Sequence, residues 1–419
     1  MLPETVERLR AIEALRAGVP NRDVVRLLPP VQRNLEDRFG SLLDATEAGW
    51  EGSKQPPGFL IEGDFGSGKS HWLEFLRHTG LERNFVCSTV TLNKETPLYD
   101  ISKLYRACVG SAAAPDRVGP ALEEIAHSFA STRSAGLADL YQWLNREKDL
   151  DPRLAATVFL FEHSHDSDLR EKIVAEWMGY PMRVPDLKAA LREAGEASTF
   201  AIGRPLKTQA IRRFEFMSRF FRAAGYAGWL ILVDETEMIS KYSLRQRARA
   251  YAHLAQLGGM AKGISLPGVA AVYTITEDYA GQVLRGRKND LVTIPARLEG
   301  TRDEPYIPFA QAGMEAIERR GTALHAVSRE RWQNTGASVR QLYSEAYGWE
   351  APETDHQREY STSTPMRQYV RSWITVWDLR RLYNAEAHLV SDTLTMSYDE
   401  DSDLQSESAG DRDEPTITL

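Results

Sequence analysis

Gly63-Asp64-Phe65-Gly66-Ser67-Gly68-Lys69-Ser70 spells the pattern G-x-x-x-x-G-K-[ST]. Glycines let a backbone wrap closely around a phosphate chain. Successive N–H groups, continued by the head of the following helix, then point at the anion. In such a loop the Lys69 ammonium reaches the β- and γ-phosphates and the Ser70 hydroxyl ligates Mg²⁺. Gly63, Asp64, Phe65, Gly66, Ser67, Gly68 and the following His71 complete the candidate nucleotide-binding set. The pattern carries this meaning only between a buried strand and a helix, and the flanks supply both. Gly58-Phe59-Leu60-Ile61-Glu62 is a short apolar run that predicts a strand. His71 to His78 place Trp72, Leu73, Phe75 and Leu76 at helical spacing, and Gly80 suits a helix end.

A phosphate loop alone binds nucleotide; hydrolysis also needs an acid to organise the metal and a group to polarise water. Residues 229–235 read Trp-Leu-Ile-Leu-Val-Asp-Glu, an apolar strand ending in two carboxylates, the Walker B pattern. Asp234 is the candidate second metal-organising residue and Glu235 the candidate base for the attacking water. Glu237 is a further acid on the same loop. A third apolar run, Gly268 to Tyr273, leads into Thr274-Ile275-Thr276. In P-loop ATPases of the AAA+ type a polar side chain at this strand end lies near the γ-phosphate, and Thr276 is the first choice, Thr274 the second. Leu291-Val292-Thr293-Ile294-Pro295 reads as a fourth strand. The Arg285-Gly286-Arg287-Lys288 turn before it offers Arg285 or Arg287 as an arginine finger toward a neighbouring subunit, or else a solvated basic turn. Phe85 to Leu92 adds another β-rich segment one helix after the loop. Buried strands with interleaved helices predict a mostly parallel sheet whose ligands sit at the carboxyl ends of its strands.

Composition narrows the class. No run of eighteen apolar residues is present, so no membrane-spanning helix is expected. The start, Met1-Leu2-Pro3-Glu4-Thr5, lacks the basic and apolar regions of a signal peptide. Cys87 and Cys108 are too few for a disulfide framework or a structural zinc site. These features predict a cytoplasmic protein. Of the net charge of -8, residues 399–419 hold -7 (eight acids and Arg412), so the remainder sits near -1 and shows no global nucleic-acid footprint. The acidic end, 393–419, reads as disordered.

From Thr96 to about Tyr226 no strand ladder appears, and the segment reads as successive helices inserted before Walker B. Arg212, Arg213, Arg219 and Arg222 alternate with Phe214, Phe216, Phe220 and Phe221. That pattern fits either inward aromatics with solvated arginines or a basic-aromatic face for nucleic acid. Arg245, Arg247 and Arg249 raise the same choice. His163-Ser164-His165-Asp166 has no companion at a recognised metal-site spacing. Beyond Arg302 the chain reads as helical. In its last helix, Thr364–Tyr383, Met366, Tyr369, Val370, Trp373 and Trp377 form one apolar stripe. Arg367, in the first turn, is a candidate to face the nucleotide from a lid.

Ala14-Leu15-Arg16-Ala17-Gly18-Val19-Pro20, the loop with His71, Asn93-Lys94-Glu95-Thr96-Pro97-Leu98-Tyr99-Asp100 and Lys103-Leu104-Tyr105-Arg106 resemble the BrxD-type ATP-binding proteins of BREX phage-defence systems. The Walker B run, Thr276-Glu277-Asp278-Tyr279 and Thr364-Pro365-Met366-Arg367-Gln368-Tyr369-Val370-Arg371 fit the same family, over roughly residues 10 to 385. The resemblance implies an AAA+-like ATPase in anti-phage defence, often beside a helicase and other system components. The combined expectation is an α/β P-loop NTPase of AAA+ type using ATP and Mg²⁺. Residues 1–57 form a helical lead-in, 58–302 the core with a helical insertion at 100–224, and 303–392 a helical lid. Defence-system proteins, DNA and further copies of the chain are the candidate partners. A scaffold gated by nucleotide, with little hydrolysis, is the competing reading.

Overall fold

The computed structural model describes residues 3–115, 117–131, 135–147, 150–196, 199–203, 210–325, 328–353, 360–361, 364–385 and 398–401. Helices α1 (Pro3–Ala17), α2 (Arg22–Leu27) and α3 (Arg33–Ala48) precede strand β1 (Phe59–Glu62), which runs through the glycine loop into α4 (Lys69–Glu82). Strand β2 (Phe85–Thr91) is followed by α5 (Ile101–Gly110), α6 (Ala121–Ser131), α7 (Ala135–Arg146), α8 (Pro152–His163), α9 (Ser167–Trp177), α10 (Val184–Glu193) and α11 (Arg212–Ala223). Then come β3 (Gly228–Asp234), α12 (Leu244–Leu257), β4 (Val269–Ile275), α13 (Asp290–Leu298), α14 (Ile307–Arg319), β5 (Gly321–Ala323), α15 (Arg329–Tyr347) and α16 (Met366–Tyr383).

The strands form one parallel sheet in the order β2-β3-β4-β1-β5. Every residue of β3 and β4 is buried, as expected when helices cover both faces of a parallel sheet. Alternate side chains feed different cores. Trp229, Ile231 and Val233 join the large core under the inserted helices. Leu230 and Leu232 join Phe59, Ile61, Trp72 and Leu76 on the face covered by α3 and α4. Because β4 lies between β1 and β3, the glycine loop and the Asp234 strand end flank the end of β4.

A third core is separate from the sheet. Trp332, Tyr343, Trp373, Ile374 and Trp377 of α15 and α16 enclose Ala11 and Ile12 of α1 and Val24 of α2. The apolar stripe read in the last helix is this contact. Arg16 extends it with two bonds of 3.0 Å to the Asp378 carboxylate. The lead-in helices α1 and α2 thus share a core with the C-terminal helices.

Three sequence expectations change. Leu291–Pro295 is not a strand but lies within α13. Ile294 and Leu298 are buried while Val292 is exposed, a helical rather than an alternating pattern. The helix is anchored at its first residue, where the buried Asp290 accepts from Arg247 (Nε, 2.9 Å; Nη2, 2.9 Å) and from the Tyr251 hydroxyl (2.9 Å). Second, β5 falls inside the span read as a lid and pairs with β1 in the core sheet. Third, Tyr398–Asp401, within the segment read as disordered, contacts the core. The remainder of that acidic end, 402–419, lies outside the described residues.

Candidate nucleotide site

The glycine loop needs backbone conformations that L side chains avoid: φ is 73° at Gly66 and 107° at Gly68. Gly68 caps α4, and Lys69 is its first residue. The Lys69 ammonium is turned into the loop, donating to the carbonyls of Gly63 (2.6 Å) and Asp64 (3.2 Å). At the next position, the Ser70 hydroxyl donates to Asp234 Oδ2 at 2.8 Å. The two residues assigned to the metal from separate motifs, 164 positions apart, therefore meet.

The other Asp234 oxygen is held by the Thr274 hydroxyl and by the Glu235 backbone N–H (3.0 Å), which also reaches Thr274 Oγ1 (3.1 Å). Thr274, the second choice for a γ-phosphate contact, thus orients the Walker B acid. Glu235 follows with φ 59°, a left-handed conformation unusual for glutamate and typical of functional turns. Hard oxygen donors from a serine and a carboxylate, beside a phosphate-binding loop, suit Mg²⁺ completed by water and phosphate oxygens. Among the described residues no group of three or more His, Cys, Asp or Glu could hold a metal by itself.

Glu235 is half-buried, and its carboxyl is raised above the usual range by burial first and then by the Asp234 charge, with Lys69 and Arg367 opposing. Glu237 is fully buried, and neither of its carboxyl oxygens hydrogen-bonds another side chain or a neighbouring residue. Its nearest cation is Lys69 Nζ at 3.9 Å. Burial pushes the Glu237 carboxyl up to about 7, with Lys69 pulling it back. An unfolded glutamate loses its proton near pH ~4.3. The folded chain holds this proton more tightly, so the group's stabilising contribution is complete below that value and is lost as pH rises through about 7. Replacing Glu237 by Gln removes the titration. Relative to the parent, the variant is expected to gain about 3 kcal/mol between pH ~5 and ~8 in urea unfolding. A difference that stays constant across that range would show that Glu237 is not the titrating group.

Beside the loop opens a cavity of about 810 Å³. One wall is Leu28 to Val31, between α2 and α3; another is Gly66 to Gly68; α15 and α16 present Arg331, Val339, Met366 and Arg367. The position of His71 explains part of this wall. Its Nε2 lies 2.9 Å from the Leu28 carbonyl, which can only accept, so Nε2 carries the proton. Burial lowers the His71 pKa and keeps the ring neutral. Arg367 arrives from the first turn of α16: its N–H is 3.4 Å from the Gly66 carbonyl. A Cβ on Gly66 would come within 2.7 Å of Pro365, so the start of α16 and the loop are in close contact. The Leu27-Leu28-Pro29-Pro30-Val31 run was readable as an apolar stretch broken by prolines, but nothing in it announced a cavity wall.

The remaining candidates separate. Thr276 lies just past the end of β4, 2.9 Å from the Tyr398 hydroxyl. Arg285 is drawn away to Glu318 (2.8 Å), while Arg287 is 91% exposed and pairs with Asp399 at 3.4 Å. Phe214, Phe216, Phe220 and Phe221 are completely buried. Around them Arg212 and Arg219 pair with Glu215, and Arg213 pairs with Glu176. This helix therefore offers no aromatic stacking surface. Arg247 is committed to Asp290, and Arg245 and Arg249 to Asp303. No described helix is long and apolar enough to cross a membrane.

No curated protein and no solved structure matches the chain. A family model, that of the BREX system ATP-binding protein BrxC/D, matches residues 5–178 and 202–366, which include the loop, Walker B and the strand end at Thr276. With most of its length matched, this chain belongs to the BrxC/D family of BREX system ATP-binding proteins.

Proposed function

We propose that this ATP-binding protein is a Mg²⁺-dependent ATPase of AAA+ type that couples nucleotide state to a change of shape within its defence system. The Ser70–Asp234 contact, with Lys69 and Glu235 adjacent, carries the reading. Gly63 to Ser70 bind the phosphates, the 810 Å³ cavity takes the adenosine, and the lid closes from above through Arg367. Ser70 and Asp234 hold Mg²⁺, whose charge offsets that of the phosphates when bound. Glu235 accepts a proton from the attacking water, and its raised pKa suits that task near neutral pH. The Thr276 hydroxyl would donate a hydrogen bond to the γ-phosphate. The intervening strand β4 and the helical lid support the AAA+ assignment. In an assembly of copies, Arg287 or Arg285 acts on the neighbour's nucleotide, and the exposed Arg287 is the freer of the two to reach out. A helicase or other system component, and DNA, are the proposed partners.

A nucleotide-gated scaffold with little turnover is the second reading. It draws on the Lys69 ammonium, which is satisfied by its own loop carbonyls. The deciding experiment is Mg²⁺-dependent ATP turnover by the full chain at rising protein concentration, with and without DNA. Turnover that rises with either supports the ATPase. ATP binding without turnover in every condition selects the scaffold.

A further inference from the structure

Residues 398–401 lie beside the end of β4. The Tyr398 hydroxyl donates to Asp278 Oδ1 and lies 2.9 Å from Thr276 Oγ1. A phenol has one proton. With that proton on Asp278, Thr276 must be the donor in the second bond. A threonine hydroxyl also has a single proton, so Tyr398 takes the only one Thr276 can offer.

The segment is held along its length. The Tyr398 ring packs edge-on against Tyr279, at 6.2 Å between centroids. Asp399 pairs with Arg287 at 3.4 Å. Glu400 accepts from Arg247 Nη1 at 2.6 Å and lies 3.8 Å from Lys288 Nζ. The Asp401 N–H donates to the Lys241 carbonyl at 3.1 Å. Arg247 is buried and fixed by Asp290, so the cation that receives Glu400 is already in place. A prepositioned, partly buried partner makes this pair stronger than one between two mobile surface chains.

We propose that Tyr398–Asp401 is an internal strap that competes with the γ-phosphate of ATP for the Thr276 hydroxyl. The inference rests on the reading above that Thr276 faces the γ-phosphate. Binding is reciprocal: the strap weakens ATP, and ATP weakens the strap. ADP has no γ-phosphate and is not opposed, so the strap biases the site toward the diphosphate. Through Asp399 it also pairs with Arg287, the proposed finger.

The test uses the full chain and calorimetric titration with Mg²⁺-AMP-PNP and with Mg²⁺-ADP, so hydrolysis does not enter. Tyr398→Phe keeps the ring and removes the hydroxyl. It is expected to raise the preference for the triphosphate by about fivefold, the worth of one hydrogen bond, and to leave ADP affinity unchanged. Adding Thr276→Val should erase that gain. An unchanged preference in Tyr398→Phe overturns the strap. When Tyr398→Phe alone leaves the preference unchanged but adding Thr276→Val lowers it, the Thr276 assignment stands and only the strap falls. If Thr276→Val has no effect in that background, Thr276 does not read the γ-phosphate, and both the assignment and the strap fall.

Discussion

Replacing Lys69 by Ala is expected to lower ATP affinity by about a thousandfold. In the proposed site the ammonium would supply charge-assisted bonds to two phosphates, each worth about 1.5–3 kcal/mol, which water could not reproduce inside the loop. Calorimetric titration gives the answer directly, and an affinity within about tenfold of the parent would remove Lys69 from the site. The same substitution takes away the cation 3.9 Å from Glu237. The Glu237 carboxyl, already raised, then rises further and holds its proton to higher pH. The variant therefore stays folded by protonating Glu237. Its stability deficit grows with pH, which separates loss of binding from collapse of the site.

Glu235→Gln is expected to leave ATP binding intact while turnover falls by about 10²–10⁴-fold, the usual contribution of a positioned base. Binding should be slightly tighter, since a negative charge beside the phosphates is gone. The residue sits where the pattern demands: one position beyond Asp234, its backbone N–H fixed by Asp234 and Thr274. Turnover measured under saturating Mg²⁺-ATP decides the matter. Undiminished turnover transfers the role to Glu237, the other acid beside Lys69.

Much of the site was legible because its parts are local in sequence. Buried parallel strands read as apolar runs, so Phe59–Glu62, Phe85–Thr91, Gly228–Asp234 and Val269–Ile275 stood out. The loop and the Asp-Glu pair carry their own spacing, which sufficed to bring Ser70 and Asp234 to one place. What stayed hidden depends on tertiary contact. The Leu291–Pro295 run has the β-branched residues of a strand, but the buried anchor at Asp290 makes it a helix. Strand β5 has three residues and a glycine, too little for a period to show. Thr274 looked like a strand residue or a weaker γ-phosphate candidate, since only the fold puts its hydroxyl against Asp234. A charged tail signals solvation by composition, and Tyr398 docks through its neighbours rather than through any pattern of its own.

The core shared by α1, α15 and α16 sets the order in which the molecule is finished. Arg16 and its partner Asp378 are 362 positions apart, so the first helix leaves the ribosome long before its partners exist. The sheet can assemble around its own strands, as domains emerging early commonly do. The cavity beside the loop cannot, because Met366 and Arg367 line it. Nascent chains that stop short of α16 thus carry an intact Gly63–Ser70 sequence beside an incomplete cavity. The cavity is completed only once α16 has been made and has packed against α1.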